Sequence, residues 1–188
     1  MSTNLHKKNY YKKPLISFIV ASYNVSSSLE RCLKSISNQS LDNYEVLIIN
    51  DRSTDNTLEI AQSFAEKDKK NRFKVLTHLQ NRGLAAVRNT GLLASEGEYI
   101  WHIDGDDFLG ISYAAEFVTK KFSEAKVPVV KVGVYEELKK DDFKINCRQK
   151  YSSEIDVKCE LTTPLELSKT NGLGGVFGYI FNRNLALE

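Results

Sequence analysis

The chain predicts an α/β fold, a Rossmann-like and mostly parallel sheet flanked by helices, and three observations predict it. Short apolar runs rich in β-branched residues alternate with stretches of helical periodicity through the first half of the chain. Each run ends in a polar cluster, as expected where a parallel sheet gathers the carboxyl ends of its strands. A chain of 188 residues with 41% hydrophobic content and three prolines can bury one core of this kind. No internal repeat of solenoid or propeller period competes with that reading.

Leu15 to Ala21 (LISFIVA), bounded by Pro14 and by Ser22-Tyr23-Asn24, reads as a buried strand. Ser27-Ser28-Leu29-Glu30 matches a capping box, and Leu29, Cys32, Leu33 and Ile36 then recur at helical spacing. Tyr44 to Ile49 is a second strand. Leu58, Ile60, Ala61, Phe64 and Ala65 fall on a helix opened by Asp55 or Asn56, and Phe73 to Leu76 is a third strand. Helical spacing resumes from Leu84 through Val87, Gly91 and Ala94, and a fourth strand, Tyr99 to Ile103, runs straight into acidic residues. The clusters Tyr23-Asn24, Asn50-Asp51-Arg52-Ser53, Asn81-Arg82-Gly83 and Asp104-Gly105-Asp106-Asp107 then converge on one rim.

Beyond Phe117 the pattern is looser. Val127 to Val134 reads as a strand, and the charged stretch Glu136 to Lys144 as a solvated loop or hairpin. Thr162-Thr163-Pro164 fits a helix start, and Gly172 to Gly178 is glycine-rich ahead of Tyr179-Ile180-Phe181. The expected organisation is a flexible basic leader, 1–13, and a single domain, 14–188, whose halves are 14–110 and an attached layer, 111–188.

With 26 basic and 24 acidic residues the formal charge is +2, which argues against nucleic acid as the partner. Lys7, Lys8, Lys12 and Lys13, interleaved with Tyr10 and Tyr11, could touch an anionic membrane surface or simply be solvated. Cys32, Cys147 and Cys159 are widely spaced and lack a CxxC pair, so neither a disulfide framework nor a structural zinc site is indicated. The expectation is a reducing, cytoplasmic compartment, with peripheral membrane contact at most. The most apolar run, Leu15 to Ala21, is too short to span a bilayer.

The acidic cluster carries the clearest chemistry. Asp104, Asp106 and Asp107 follow an apolar strand and would repel one another without a cation; their hard oxygens suit Mg²⁺ or Mn²⁺ held jointly with substrate phosphates. Asp51 could accept a hydrogen bond from a base ring N–H or, with Ser53 and Asp55, cap the following helix. Tyr23 offers a face for base stacking, or partly buried packing. Arg82 and Arg88 could neutralise phosphate oxygens or form surface salt bridges. His102 shares a strand face with Asp104 and reads as lining the site or as a hydrogen-bonded core histidine, while Trp101 and Ile103 point into the core. The sequence suggests no role for His6 or His78. No GxGxxG follows the first strand and no GxxxxGK[ST] occurs, which removes the main support for dinucleotide and P-loop readings.

In these residues the chain resembles family 2 glycosyltransferases of the GT-A fold. The motifs that carry the resemblance are ISFIVASYN (16–24), NDRSTDNT (50–57), NRGLAAVRNTG (81–91) and EGEYIWHIDGDDFL (96–109). The resemblance implies a nucleotide-sugar-binding half at 14–110 and a smaller acceptor-side layer at 111–188. It implies donor binding by Ala21, Tyr23, Asp51, Arg82, Arg88, Asp104 and Gly105, with Asp104 and Asp106 as the metal pair for Mn²⁺ or Mg²⁺. Tyr23 would flank the base, Asp51 bind its edge, and Arg88 face the diphosphate or sugar.

The implied reaction is inverting transfer from a nucleoside-diphosphate-sugar, of UDP-hexose or UDP-N-acetylhexosamine type, to a glycan or glycolipid acceptor in bacterial surface polysaccharide synthesis. Asn50 and Arg52 stand where many members carry Asp and Gly. GGVFGYIFNRNLALE (174–188) resembles the segment that precedes an acidic pair carrying the catalytic base, so the resemblance places the base beyond Glu188 and the acceptor-side half as incomplete, with Asp107 the internal alternative. The competing expectations are a non-catalytic nucleotide-sugar-binding module, an inactive fragment, and a metal-dependent phosphohydrolase, against which the missing nucleophile pattern counts.

Overall fold

The computed structural model describes residues 13–125, the strands at 129–131, 135–139, 142–145 and 160–162, and residues 179–187. Four parallel strands, β1 (Ile16–Ser22), β2 (Tyr44–Asn50), β3 (Phe73–Thr77) and β4 (Tyr99–Asp104), alternate with α1 (Leu29–Ser37), α2 (Thr57–Lys67) and α3 (Leu84–Ala94). They are followed by α4 (Ala114–Ala125), β5 (Val129–Lys131), β6 (Tyr135–Lys139), β7 (Asp142–Ile145), β8 (Glu160–Thr162), β9 (Tyr179–Asn182) and a short helix α5 (Arg183–Leu187).

The main sheet runs in the order β3-β2-β1-β4-β9-β5-β8. Its first half is parallel; β9 then pairs antiparallel with β4 and β5, and β8 antiparallel with β5. The sequential order turns back between β1 and β4, the switch point at which open α/β sheets leave a crevice at the carboxyl ends of their strands.

Strand alternation divides the core. Ile16, Phe18 and Val20 of β1 join Leu29, Leu33 and Ile36 of α1, Ala61 of α2, and Ala115, Val118 and Phe122 of α4 on one face. Ile19 faces the other way and meets Leu47, Ile49, Ile100 and Val87 of α3. Each fully buried side chain of this size contributes about 1.5–3 kcal/mol of transfer free energy. All seven residues of β2 are buried, as a strand covered on both faces requires. Trp101 and Ile103 lie in the larger core, as their alternation predicts.

At the amino-terminal end of the strands, Glu45 is 3% exposed and engaged through both oxygens. It accepts from Ser17 Oγ at 2.7 Å, from the Glu96 amide at 2.6 Å and from Lys74 Nζ at 3.0 Å. Beside it, a Cβ on Gly97 would stand 2.6 Å from the Ser17 backbone nitrogen, so the chain closes on itself there.

Several local expectations change. The predicted capping box does not form: the N-cap of α1 is Ser28, without a side-chain cap bond, and its hydroxyl is shared between the carbonyls of Val25 and Gly105 instead. At α2 the N-cap is Asn56, but Asp55 accepts the Thr57 amide and also the Ser26 amide, tying the loop after β1 to the loop after β2. The strand expected over 127–134 is described at Val129–Lys131. The charged stretch from Glu136 resolves as the hairpin alternative, with β6 paired antiparallel to β7. Thr162 ends β8, while Thr163 and Pro164, where the expected helix would start, and the glycine-rich 172–178 lie outside the described residues, as does the leader through Lys12. No helix among the described residues is long and apolar enough to cross a membrane.

Candidate functional site

The register of the sheet brings the polar clusters to one level. Ala21 pairs with Asp104, Ser22 with Asn50, and Asn50 with Thr77. Each strand end is extended by one further backbone bond: Gly105 N–H to the Ala21 carbonyl at 2.8 Å, Asp51 N–H to the Ser22 carbonyl at 2.9 Å, and His78 N–H to the Asn50 carbonyl at 3.0 Å. The rim is thus held rigidly by the sheet that carries it.

Asp104 to Asp107 form a tight turn, closed by the Asp107 amide on the Asp104 carbonyl at 2.9 Å. Gly105 is required by space: a Cβ there would stand 2.9 Å from the Ala21 carbonyl oxygen and 3.0 Å from Val25 Cγ2. Asp104 is partly exposed and is engaged by Arg88 of α3, whose Nη2 lies 3.1 Å from Oδ1 and 3.4 Å from Oδ2. Asp106 is exposed. Burial, then the charges of Asp106 and Asp104, push the Asp107 carboxyl up to about 6. Burial and the charges of all three acids push the Cys32 thiol well above its usual range, which removes it as a nucleophile. Three carboxylates thus crowd one turn, and Arg88 grips the first of them.

Asp51 is 2% exposed, and its oxygens are taken by the protein's own donors. Oδ1 accepts from His78 Nδ1 at 2.6 Å and from the Arg82 amide at 2.9 Å; Oδ2 accepts from the Arg82 amide at 3.1 Å and from the Gly83 amide at 2.7 Å. Three donors, one of them shared between the two oxygens, give each carboxylate oxygen two hydrogen-bond contacts. Burial alone would raise this carboxyl, yet the His78 bond and the two amides outweigh it and hold Asp51 below the ordinary range. The helix-capping alternative is not realised on α2 by Asp51; the carboxylate instead anchors the loop that leads into α3.

Tyr23 is 48% exposed, with its ring available at the rim. It follows β1 and is flanked by Asn24, whose φ of 53° places it in the left-handed region and whose side chain accepts the Thr54 amide at 2.8 Å. Arg82 has an exposed side chain, while Ala21 contributes its backbone, through the bond to Gly105. Arg52 also has positive φ, 63°, a backbone state to which glycine is better suited.

His102 is buried on the face it shares with Asp104, and its Nδ1 has no hydrogen-bond partner among the described residues. Burial, with Arg88 nearby, pushes it down to about 4, so it stays neutral near pH 7. The hydrogen-bonded core histidine is therefore His78, not His102. No periodicity or motif marks His78; its place one residue beyond β3 is the only available signal.

A parallel sheet with a switch point between β1 and β4, carrying an exposed tyrosine and an acidic turn at its carboxyl rim, defines a doubly wound α/β protein. Residues 17–171 match the profile of Glycosyl transferase family 2, and the chain belongs to that family. It is 32% identical over 173 residues to the uncharacterized glycosyltransferase EpsJ of Bacillus subtilis, covering 92% of this chain and 49% of EpsJ. Among solved structures it resembles the mannosyltransferase PcManGT from Pyrobaculum calidifontis in complex with GDP-Man and Mn²⁺, with TM-score 0.58 and 25% identity over 63% of this chain and 35% of that one. S. aureus TarS 1-349 in complex with UDP gives a TM-score of 0.56 and 28% identity over 61% of this chain and 33% of the TarS 1-349 chain. The GT-A fold expected from the motifs is thus the fold observed. The chain spans about half or less of the length of the curated relatives it matches.

Proposed function

We propose that this chain forms the donor-binding part of a glycosyltransferase that moves a sugar from a UDP-linked donor to a glycan or glycolipid acceptor, with inversion and with Mn²⁺ or Mg²⁺. The observation that carries the reading is the Asp104–Asp107 turn at the switch point, joined rigidly to β1 and gripped by Arg88. Complexes of similar proteins with UDP, UDP-GlcNAc, and GDP-Man plus Mn²⁺ support a nucleotide-sugar donor.

The residues present fit a divalent cation. Burial and accumulated like charge raise Asp107, and a cation beside the turn relieves the second of these. No group of three or more His, Cys, Asp or Glu side chains among the described residues is arranged to hold a metal alone. Asp104 and Asp106 would hold it together with donor phosphates, as is usual for a hard cation bound by one or two carboxylates. When bound, the cation supplies charge stabilisation for the departing diphosphate. Arg88 fixes the Asp104 carboxylate in place, Gly105 lets the turn approach β1, and Tyr23 gives the base a flat apolar face. Arg82, exposed on the loop before α3, offers a forked cation to the phosphates. Asp51 shapes the base pocket by holding the 82–83 amides instead of presenting a free carboxylate.

In the transfer step the acceptor oxygen bonds to the anomeric carbon as its bond to the diphosphate breaks, and the hydroxyl proton passes to a carboxylate base. Within this chain Asp107 is the candidate for that base. A cytoplasmic setting and a role in surface polysaccharide synthesis belong to the same proposal. The test is calorimetric titration of UDP, GDP and dTDP with and without Mn²⁺. Metal-dependent binding of UDP in preference to the others supports the reading; no binding of any of the three overturns it.

A further inference from the structure

His78 belongs to none of the motifs, yet it stands where three elements meet. Its backbone extends β3 onto β2, and its side chain, 7% exposed, sits between the end of β2 and α3. Nδ1 is 2.6 Å from Asp51 Oδ1 and Nε2 is 2.8 Å from Thr90 Oγ1. A carboxylate only accepts, so Nδ1 carries the proton and donates it toward Asp51. Asp51 in turn receives the amides of Arg82 and Gly83, and Gly83, at φ 81°, is the N-cap of α3. The Asp51–His78–Thr90 chain therefore grips α3 twice: at its N-terminal entry through Asp51, and at Thr90 through the imidazole. Arg88, which engages Asp104, lies between the two grips.

We propose that His78 is a positioning residue of the donor site: it locks the 82–83 loop and α3 so that Arg88 meets Asp104 before a nucleoside diphosphate arrives. The donor part of this inference rests on the proposed function; the locking itself does not. Groups that orient ligating side chains from behind typically affect affinity by about 10- to 100-fold.

Two near-isosteric variants separate positioning from mere core filling. In His78→Asn the side-chain amide can donate from the Nδ1 position, keeping the Asp51 bond and losing Thr90. In His78→Gln the amide reaches the Nε2 position, keeping Thr90 and losing Asp51. Amide hydrogen exchange is read by NMR on ligand-free protein whose circular dichroism is native. Exchange is expected to rise about 10-fold or more at Arg82 and Gly83 in His78→Gln and to stay within about 3-fold of wild type in His78→Asn. UDP affinity with Mn²⁺ is expected to follow the same order. Equal exchange in the two variants, or no rise in His78→Gln, overturns the proposal. If the wild-type chain binds no UDP, the donor reading fails, and the exchange data alone still decide whether His78 locks the loop. Where His78→Gln fails to fold, the wild-type ring nitrogen shifts decide it: a His78 protonated at Nδ1, with that proton slow to exchange, is expected, and the opposite tautomer overturns the lock.

Discussion

Strand β2 has a buried carboxylate at each end, Glu45 near its start and Asp51 just past its finish. Each accepts at least one backbone amide from a neighbouring loop and one side-chain nitrogen, and in both these bonds outweigh burial and hold the carboxyl below its ordinary value. What differs is the company. Around Glu45 the chain packs until Gly97 cannot carry a Cβ, whereas Asp51 stands at the rim that carries an exposed tyrosine, an exposed arginine and an acidic turn. Burial and saturated hydrogen bonding thus do not distinguish a scaffold carboxylate from one at a ligand site; the exposed groups on the same rim do.

The comparison is broken most severely at the turn. Asp106→Ala, at an exposed position, is expected to lower metal-dependent UDP affinity by on the order of 100-fold while leaving the melting temperature nearly unchanged, measured by calorimetry and thermal denaturation. The opposite signature belongs to Gly97→Ala. Its Cβ would press on the Ser17 backbone, so a loss of about 1–3 kcal/mol in urea unfolding is expected, with UDP affinity per folded molecule unaltered.

The two β2 carboxylates sharpen the contrast further. Glu45→Gln and Asp51→Asn should each cost about 1–3 kcal/mol, because amide donors lose an ionised acceptor. Only Asp51→Asn is expected to weaken UDP binding as well. Their titration has a definite sign. Folded-state values lie below the ordinary 4.5 for Glu45 and 3.8 for Asp51, so each contributes stability above that value and loses it as pH falls through the depressed folded value. Acid unfolding below about pH 4 should therefore be less steep in either variant than in wild type. The smallest effect is expected at Arg52→Gly, which relieves a left-handed backbone and should stabilise the fold by about 1 kcal/mol in the same urea assay.

The parallel half of this molecule was legible because its signals are local and repeated. Apolar runs set β1 to β4 within about one residue of their observed ends, and helical spacing gave α3 its observed bounds. α4 escaped although Ala115, Val118 and Phe122 recur at helical spacing with Glu116, Lys120, Ser123 and Glu124 exposed away from them, and the antiparallel strand pairings escaped because they are long-range. The capping box failed for a related reason: the Ser28 hydroxyl finds acceptors in Val25 and in Gly105, far along the chain. The site divides the same way. Its acidic turn is contiguous in sequence, while the Asp51–His78–Thr90 chain joins three elements that no spacing rule connects.

The most direct test of the account is paramagnetic broadening by Mn²⁺ in the presence of UDP, read on backbone amides. Broadening of Asp104 to Asp107, Arg88 and Tyr23, with the Glu45, Glu96 and Gly97 amides left sharp, is the predicted result. Broadening centred on Glu45, or none at either end of β2, would contradict it.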